Sequence, residues 1–197
     1  MKSIQNICVF CGSSTGIDPI HQDAAKALGH WLAAKDIGLI YGGGRIGLMG
    51  LVADTTLASG GQVVGIIPQF LHDFEVAHQG VQELIITGSM HERKKIMYER
   101  ADAFVSLPGG LGTLDETFEV LTWTQLGLSA KPVLLLDTGG YWQPLITLID
   151  HCVDMGFAKP ENRRLFRVIS TIEQIPDAIA DIRGDAQARP NVDSKLL

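Results

Sequence analysis

Three features of this sequence predict an α/β protein of the Rossmann-like class: a doubly wound parallel sheet of about seven strands with helices on both faces. Short apolar runs alternate with helical stretches along most of the chain. Runs such as Val133-Leu134-Leu135-Leu136 are apolar without interruption, as strands buried on both faces are. Three of the runs end in glycine- or serine-rich turns that lead straight into a helix.

Residues 4–11 read as the first strand. The polar turn Gly12-Ser13-Ser14-Thr15-Gly16 follows, then a helix begun by Asp18 with Pro19 at its first position, where the missing N–H costs nothing. Ile20, Ala24, Ala27, Leu28, Trp31 and Leu32 supply its apolar stripe. Cys8 and Cys11 form a C-x-x-C, but three residues apart on a strand they face opposite sides and no second pair accompanies them. Neither a metal nor a redox role is expected of them.

The second strand, residues 37–41, ends in Gly42-Gly43-Gly44-Arg45-Ile46-Gly47-Leu48-Met49-Gly50 and a helix to about residue 59. Gly42, Gly44 and Gly47 match the dinucleotide fingerprint G-x-G-x-x-G, yet the third strand, residues 63–68, ends without the acidic residue that would hold a ribose. The turn therefore reads as close backbone approach to a ligand or as tight helix–strand packing. Residues 70–80 read as a loop carrying Glu75 and His78, with the histidine solvated. His72, His78 and His151 lack metal-ligand spacing.

Residues 83–87 form a fourth strand. Ser89-Met90-His91-Glu92 is a capping box that opens a helix through Arg100. Lys95 and Glu99 are spaced to pair at i, i+4. Arg93 borders the stripe of Met90, Met97 and Ala101, where a guanidinium takes a fixed partner or an anionic ligand. Residues 102–107 are the fifth strand, 132–137 the sixth, 142–155 a helix, 166–170 the seventh strand and 172–182 the last helix. From Gly184 to Leu197 the chain is polar without periodicity and reads as a disordered tail, which leaves residues 1–183 as one domain.

The formal charge of −6 over 197 residues argues against a nucleic-acid or membrane-surface partner, although a small anion remains compatible with local cations. No apolar run approaches the ~18 residues of a membrane span, the first six residues lack the core of a signal peptide, and three cysteines make no disulfide framework. A cytoplasmic protein is expected.

The chemistry gathers after the fifth strand, in Leu107-Pro108-Gly109-Gly110-Leu111-Gly112-Thr113-Leu114-Asp115-Glu116. Glycines let a ligand approach the backbone, and the free N–H groups of the helix expected from Thr113 would face an anion above the turn. Thr113 to Glu116 is also a capping box, in which Glu116 would only bond back to Thr113. On a helical wheel Leu114, Phe118, Leu121 and Gln125 share one face while Glu116 lies opposite with Val120 and Trp123. That places the carboxylate at the edge of a buried surface, where an unpaired charge is costly and is kept for a purpose. In a parallel sheet the turns after strands one, two and five share one edge, so Ser14, Gly43, Gly44, Gly109 and Gly110 are candidate ligand contacts.

With Pro108 to Glu116 as P-G-G-x-G-T-x-x-E, Met90 to Lys94 as M-H-x-R-K and Gly42 to Gly50 as G-G-G-x-x-G-L-M-G, the chain resembles the LONELY GUY (LOG) family of phosphoribohydrolases from Ile4 to about Ile182. The resemblance implies hydrolysis of the N-glycosidic bond of a purine nucleoside 5′-monophosphate, releasing adenine or an N6-prenylated adenine and ribose 5-phosphate. It implies Arg93 and Glu116 as the catalytic pair, Gly110, Leu111, Gly112 and Thr113 at the phosphoribosyl end, and Glu75, Lys94 and Thr122 as substrate contacts. It further implies a homodimer that needs no metal or cofactor. Leu111 departs from the tyrosine usual in plant members. The residue types suit the reaction, because losing a base builds positive charge on the ribose that a carboxylate can stabilise. Other readings are a nicotinamide oxidoreductase resting on Gly42 to Gly47, a non-catalytic nucleotide carrier, and a decarboxylase, which would need a Schiff-base lysine that Lys94 and Lys95, in a charged helix, do not supply.

Overall fold

A computed structural model describes residues 3–74 and 77–188. Seven strands, β1 (Asn6–Phe10), β2 (Gly38–Tyr41), β3 (Val63–Pro68), β4 (Glu83–Thr87), β5 (Ala103–Ser106), β6 (Val133–Leu136) and β7 (Arg167–Ile169), form one sheet in the order β4-β3-β2-β1-β5-β6-β7. Every neighbouring pair is parallel. The chain steps outward from β1 to β4, then returns to lay β5 on the other side of β1. Loops leaving β1 and β5 thus diverge to opposite faces and open a crevice between them, the usual ligand position in such sheets.

Helices α1 (Ile20–Ala34), α2 (Gly47–Ala58) and α7 (Ile175–Ala188) cover one face, with Ile7, Val9, Leu28, Leu39, Val52 and Ile175 in its core. On the other lie α4 (Met90–Arg100), α5 (Leu111–Gln125) and α6 (Gln143–Asp154), over Cys8, Phe10, Met97, Phe104, Leu121 and Trp142. Strand alternation puts Cys8 in one core and Cys11 in the other, as their spacing predicts. Burial raises both thiols well above the usual range. Among the described residues no helix is long and apolar enough to cross a membrane.

Local differences from the sequence reading have physical causes. Within the expected loop of residues 70–80 a short helix, α3 (Gln69–Phe74), forms, since no glycine or proline interrupts residues 69–74. The last helix does not stop near residue 182; it continues to Ala188, so the first residues of the expected tail are helical. Arg167 of β7 fastens it through Asp181 and Asp185, each at 2.6 Å. The rest of that tail, residues 189–197, lies outside the described residues.

Helix α5 begins two residues earlier than expected, with Gly110 as its N-cap in an extended conformation (φ −85°, ψ −158°). Its inward stripe is Thr113, Glu116, Thr117, Val120 and Leu121, whereas Phe118 and Gln125, expected inside, are exposed. Hydroxyls decide this register: Thr117 shares a 2.8 Å hydrogen bond with Ser106 at the end of β5 and donates to the Thr113 carbonyl at 2.7 Å.

Candidate active site

The three turns are laced together at the carboxyl edge of the sheet. Gly12 N–H donates to the Pro108 carbonyl at 3.0 Å, and the Gly12 carbonyl accepts from Leu48 N–H at 3.0 Å and Met49 N–H at 3.3 Å. A Cβ on Gly47, whose φ is +64°, would sit 2.2 Å from the Ser13 carbonyl carbon, so only glycine lets the β1 and β2 turns meet there. A Cβ on Gly109 would lie 2.1 Å from Thr113 Oγ1 and 2.7 Å from Gly12 N. Gly109→Ala is therefore expected to lower stability by about 1–3 kcal/mol, read by urea unfolding, because the Gly12 backbone has to move. Around Gly110 and Gly112 the corresponding space is empty to 4 Å.

A crevice of about 490 Å³ opens at this edge, lined by residues 12–18 and 108–110 with His21, Leu48 and Tyr141. Ser14, Gly109 and Gly110, candidate ligand contacts, lie in its wall. No side chain caps α5, so the N–H groups of its first turn have no intrahelical acceptor and the positive end of its dipole is open. Leu111, expected at this end of the ligand, is 85% exposed. Tyr141 and His21 were not foreseen; nothing in the linear pattern marks them, since only packing brings the segment after β6 back over the β5 turn and sets Tyr141 against His21 of α1.

Glu116 is not part of a capping box. The earlier start of α5 puts Thr113 inside the helix, buried, and the Glu116 carboxylate meets Arg93 instead, Nη1 to Oε1 at 3.3 Å, both residues 8% exposed. The guanidinium is held on three sides, since Nε donates to the Ile66 carbonyl at 3.0 Å and Nη2 to the Gly42 carbonyl at 3.2 Å. Arg93 thus ties α4 to the ends of β2 and β3 while facing α5. Burial pushes the Glu116 carboxyl above the usual carboxylate range, and Arg93 opposes that shift without cancelling it.

The arginine also explains the fingerprint glycines. A Cβ on Gly42 would fall 2.1 Å from Arg93 Nη2, so the absent side chain makes room for a guanidinium. Gly43 and Gly44, expected to touch ligand, are buried beneath residues 77 and 78: His78 N–H donates to the Gly43 carbonyl at 3.1 Å and Gly44 bridges to Ala77. His78 is not solvated as expected. It is buried because Asp54 of α2 meets Nε2 at 2.8 Å and Gly80 N–H donates to Nδ1 at 3.1 Å.

Lys94 pairs with Asp115 and Glu119 of α5, each at 3.1 Å. Partial burial alone would lower its pKa, but bonds to the two carboxylates outweigh that and hold it above the usual lysine value. Thr122 is exposed, its hydroxyl donating to the Phe118 carbonyl at 2.7 Å. The expected Lys95–Glu99 pair forms at 3.8 Å. Glu75 lies outside the described residues. Among the described residues no cluster of three or more His, Cys, Asp or Glu could hold a metal ion.

A family model described as "possible lysine decarboxylase" matches residues 49–179. A probable cytokinin riboside 5′-monophosphate phosphoribohydrolase of Oryza sativa subsp. japonica is 50% identical over 162 residues, covering 82% of this chain and 71% of that protein. A cytokinin riboside 5′-monophosphate phosphoribohydrolase of Arabidopsis thaliana is 44% identical over 196 residues, 98% of this chain and 88% of the relative. Among solved structures, the molybdenum cofactor binding protein from Rippkaea orientalis superposes with a TM-score of 0.69 at 23% identity, covering 92% of this chain and 99% of that one. The molybdenum cofactor carrier protein from Chlamydomonas reinhardtii gives 0.67 at 20% identity, with 91% and 98% covered, and both likenesses speak for the fold alone. The chain belongs to the family whose model is described as possible lysine decarboxylase, the LOG family, alongside these plant phosphoribohydrolases.

Proposed function

We propose that the chain hydrolyses the N-glycosidic bond of a purine nucleoside 5′-monophosphate, releasing adenine or an N6-prenylated adenine and ribose 5-phosphate. The observation that carries this is the buried Glu116 carboxylate held beside Arg93, between one and two helical turns below the uncapped start of α5. In this reading the open amides of Gly110 to Thr113, with Ser14, receive the phosphate, and Glu116 faces the sugar carbon that loses the base. As the C1′–N bond breaks, the base leaves with the bonding pair, positive charge grows on the ribose, and the carboxylate stabilises it or activates the incoming water. Arg93 fixes the carboxylate in place, a positioning effect.

The decarboxylase in the family's description finds no support in the residues. A pyridoxal Schiff base needs a lysine that gives up its proton easily, and Lys94, held charged by two carboxylates, is tuned the other way. The nicotinamide reading loses its basis as well, since the Gly42 turn is filled by Arg93. Exposed Leu111, Phe118, Leu126 and Leu128 along and just beyond α5 support a homodimer, and the charge of −6 supports a partner set without nucleic acid or anionic membrane in a cytoplasmic setting.

The test is chromatography of purified protein incubated with AMP and with N6-isopentenyl-AMP. Free base and ribose 5-phosphate are expected in equal amounts; nucleotide that stays bound and intact would mark a carrier instead. Because Glu116 acts ionised and its pKa is raised, the rate should fall as pH drops, beginning above the ordinary carboxylate range. The pH–rate profile reads this directly. Stability takes the opposite sign: the folded state binds the Glu116 proton more readily than the unfolded one, so this group's contribution grows less favourable as pH rises through that window.

A further inference from the structure

Tyr141, which precedes α6, reaches over the β5 turn and donates its phenolic hydrogen to the Gly109 carbonyl. Its ring is wedged edge-on between His21, with centroids 5.9 Å apart, and Trp142, at 5.1 Å. Trp142 is itself anchored, its N–H donating to Asp137 Oδ1 at 2.7 Å and its indole Nε1 to the Ser106 carbonyl at 3.2 Å. The phenol is thus held over the turn after β5 by a neighbour anchored on the last residue of that strand.

The Gly109 carbonyl and the Gly110 N–H belong to one trans peptide, so they point in opposite directions. Fixing the carbonyl toward Tyr141 fixes that N–H toward the other side, at the open N-cap of α5. Both residues of this peptide are glycines, with no Cβ on either side to resist rotation of the plane by half a turn. A rotated peptide would present a carbonyl oxygen to an anion where a donor is needed.

We propose that Tyr141 is a positioning residue that locks the Gly109–Gly110 peptide in its donor-inward orientation, and so sets affinity for the phosphate of the substrate. The inference rests on reading the α5 terminus as the phosphate site. It assigns Tyr141 no contact with the reacting atoms.

The experiment compares wild type with Tyr141→Phe, which keeps the ring and removes the hydroxyl. Inorganic phosphate is titrated by thermal shift, and KM and kcat for AMP are measured separately. The expected result is phosphate binding weakened about tenfold and KM raised by a similar factor, with kcat little changed. A merely structural hydroxyl would lower the ligand-free melting temperature yet leave KM of the folded fraction alone, so the split decides even if the variant melts earlier. Equal phosphate titrations and equal KM in both proteins overturn the proposal. No phosphate shift in wild type overturns the phosphate site itself and Tyr141's role with it, whereas a phosphate shift without base release leaves the locking role intact and sinks only the hydrolase reading.

Discussion

Glu116→Gln is expected to cut the rate of base release about 100-fold or more while the protein still folds and still binds nucleotide. Glutamine has nearly the same shape, and its amide oxygen can still accept from Arg93 Nη1, now 3.3 Å from Oε1, so the change removes charge and little else. A neutral amide neither offsets positive charge at the sugar carbon nor takes a proton from water. The loss should therefore fall on kcat, with KM for AMP close to wild type, because the phosphate contacts assigned to α5 and its turn are untouched. Unchanged kcat would refute the assignment outright. The same variant should lack the pH-dependent stability contribution of Glu116, giving an independent readout of the buried carboxylate by thermal unfolding between acidic and neutral pH.

The sheet was legible because its strands, such as Val133 to Leu136, are buried on both faces and need no partner information to be recognised. The turns were legible for a related reason, since a glycine at a strand end announces close approach of backbone. What approaches was not. At Gly42 it is Arg93, fifty-one residues later in the chain, and at Gly47 it is the Ser13 carbonyl. The residue pattern alone places Arg93 and Glu116 separately, one bordering an apolar stripe and one at a buried edge, and only the family resemblance joins them as a pair. Its 3.3 Å contact depends on the crossing of α4 and α5, which no local pattern encodes. The start of α5 was misplaced because Thr113-x-x-Glu116 imitates a capping box, while the actual N-cap, Gly110, has no side chain to advertise it. His78 was missed for want of any sign of Asp54, which lies twenty-four residues earlier on α2.

Arg93→Ala is expected to be the most destabilising single change at the site, lowering stability by about 3–5 kcal/mol and abolishing measurable turnover. It removes the ion-pair partner of a buried carboxylate and deprives the Ile66 and Gly42 carbonyls of their donors. Since the orphaned carboxylate is tolerable only when protonated, the deficit should shrink as pH falls, which urea unfolding at neutral and acidic pH measures. The pair's coupling then gives a sharper test. In the Arg93→Ala background, adding Glu116→Gln removes the uncompensated charge and should recover part of the lost stability, although the second change alone brings no such gain. Strictly additive effects in that double-mutant cycle would mean that the two groups do not interact as the geometry has them, and that the arginine is held by its backbone carbonyls alone. Recovery of stability would show that this arginine keeps a buried carboxylate charged; turnover stays lost in the double variant because the Glu116 carboxylate itself is gone.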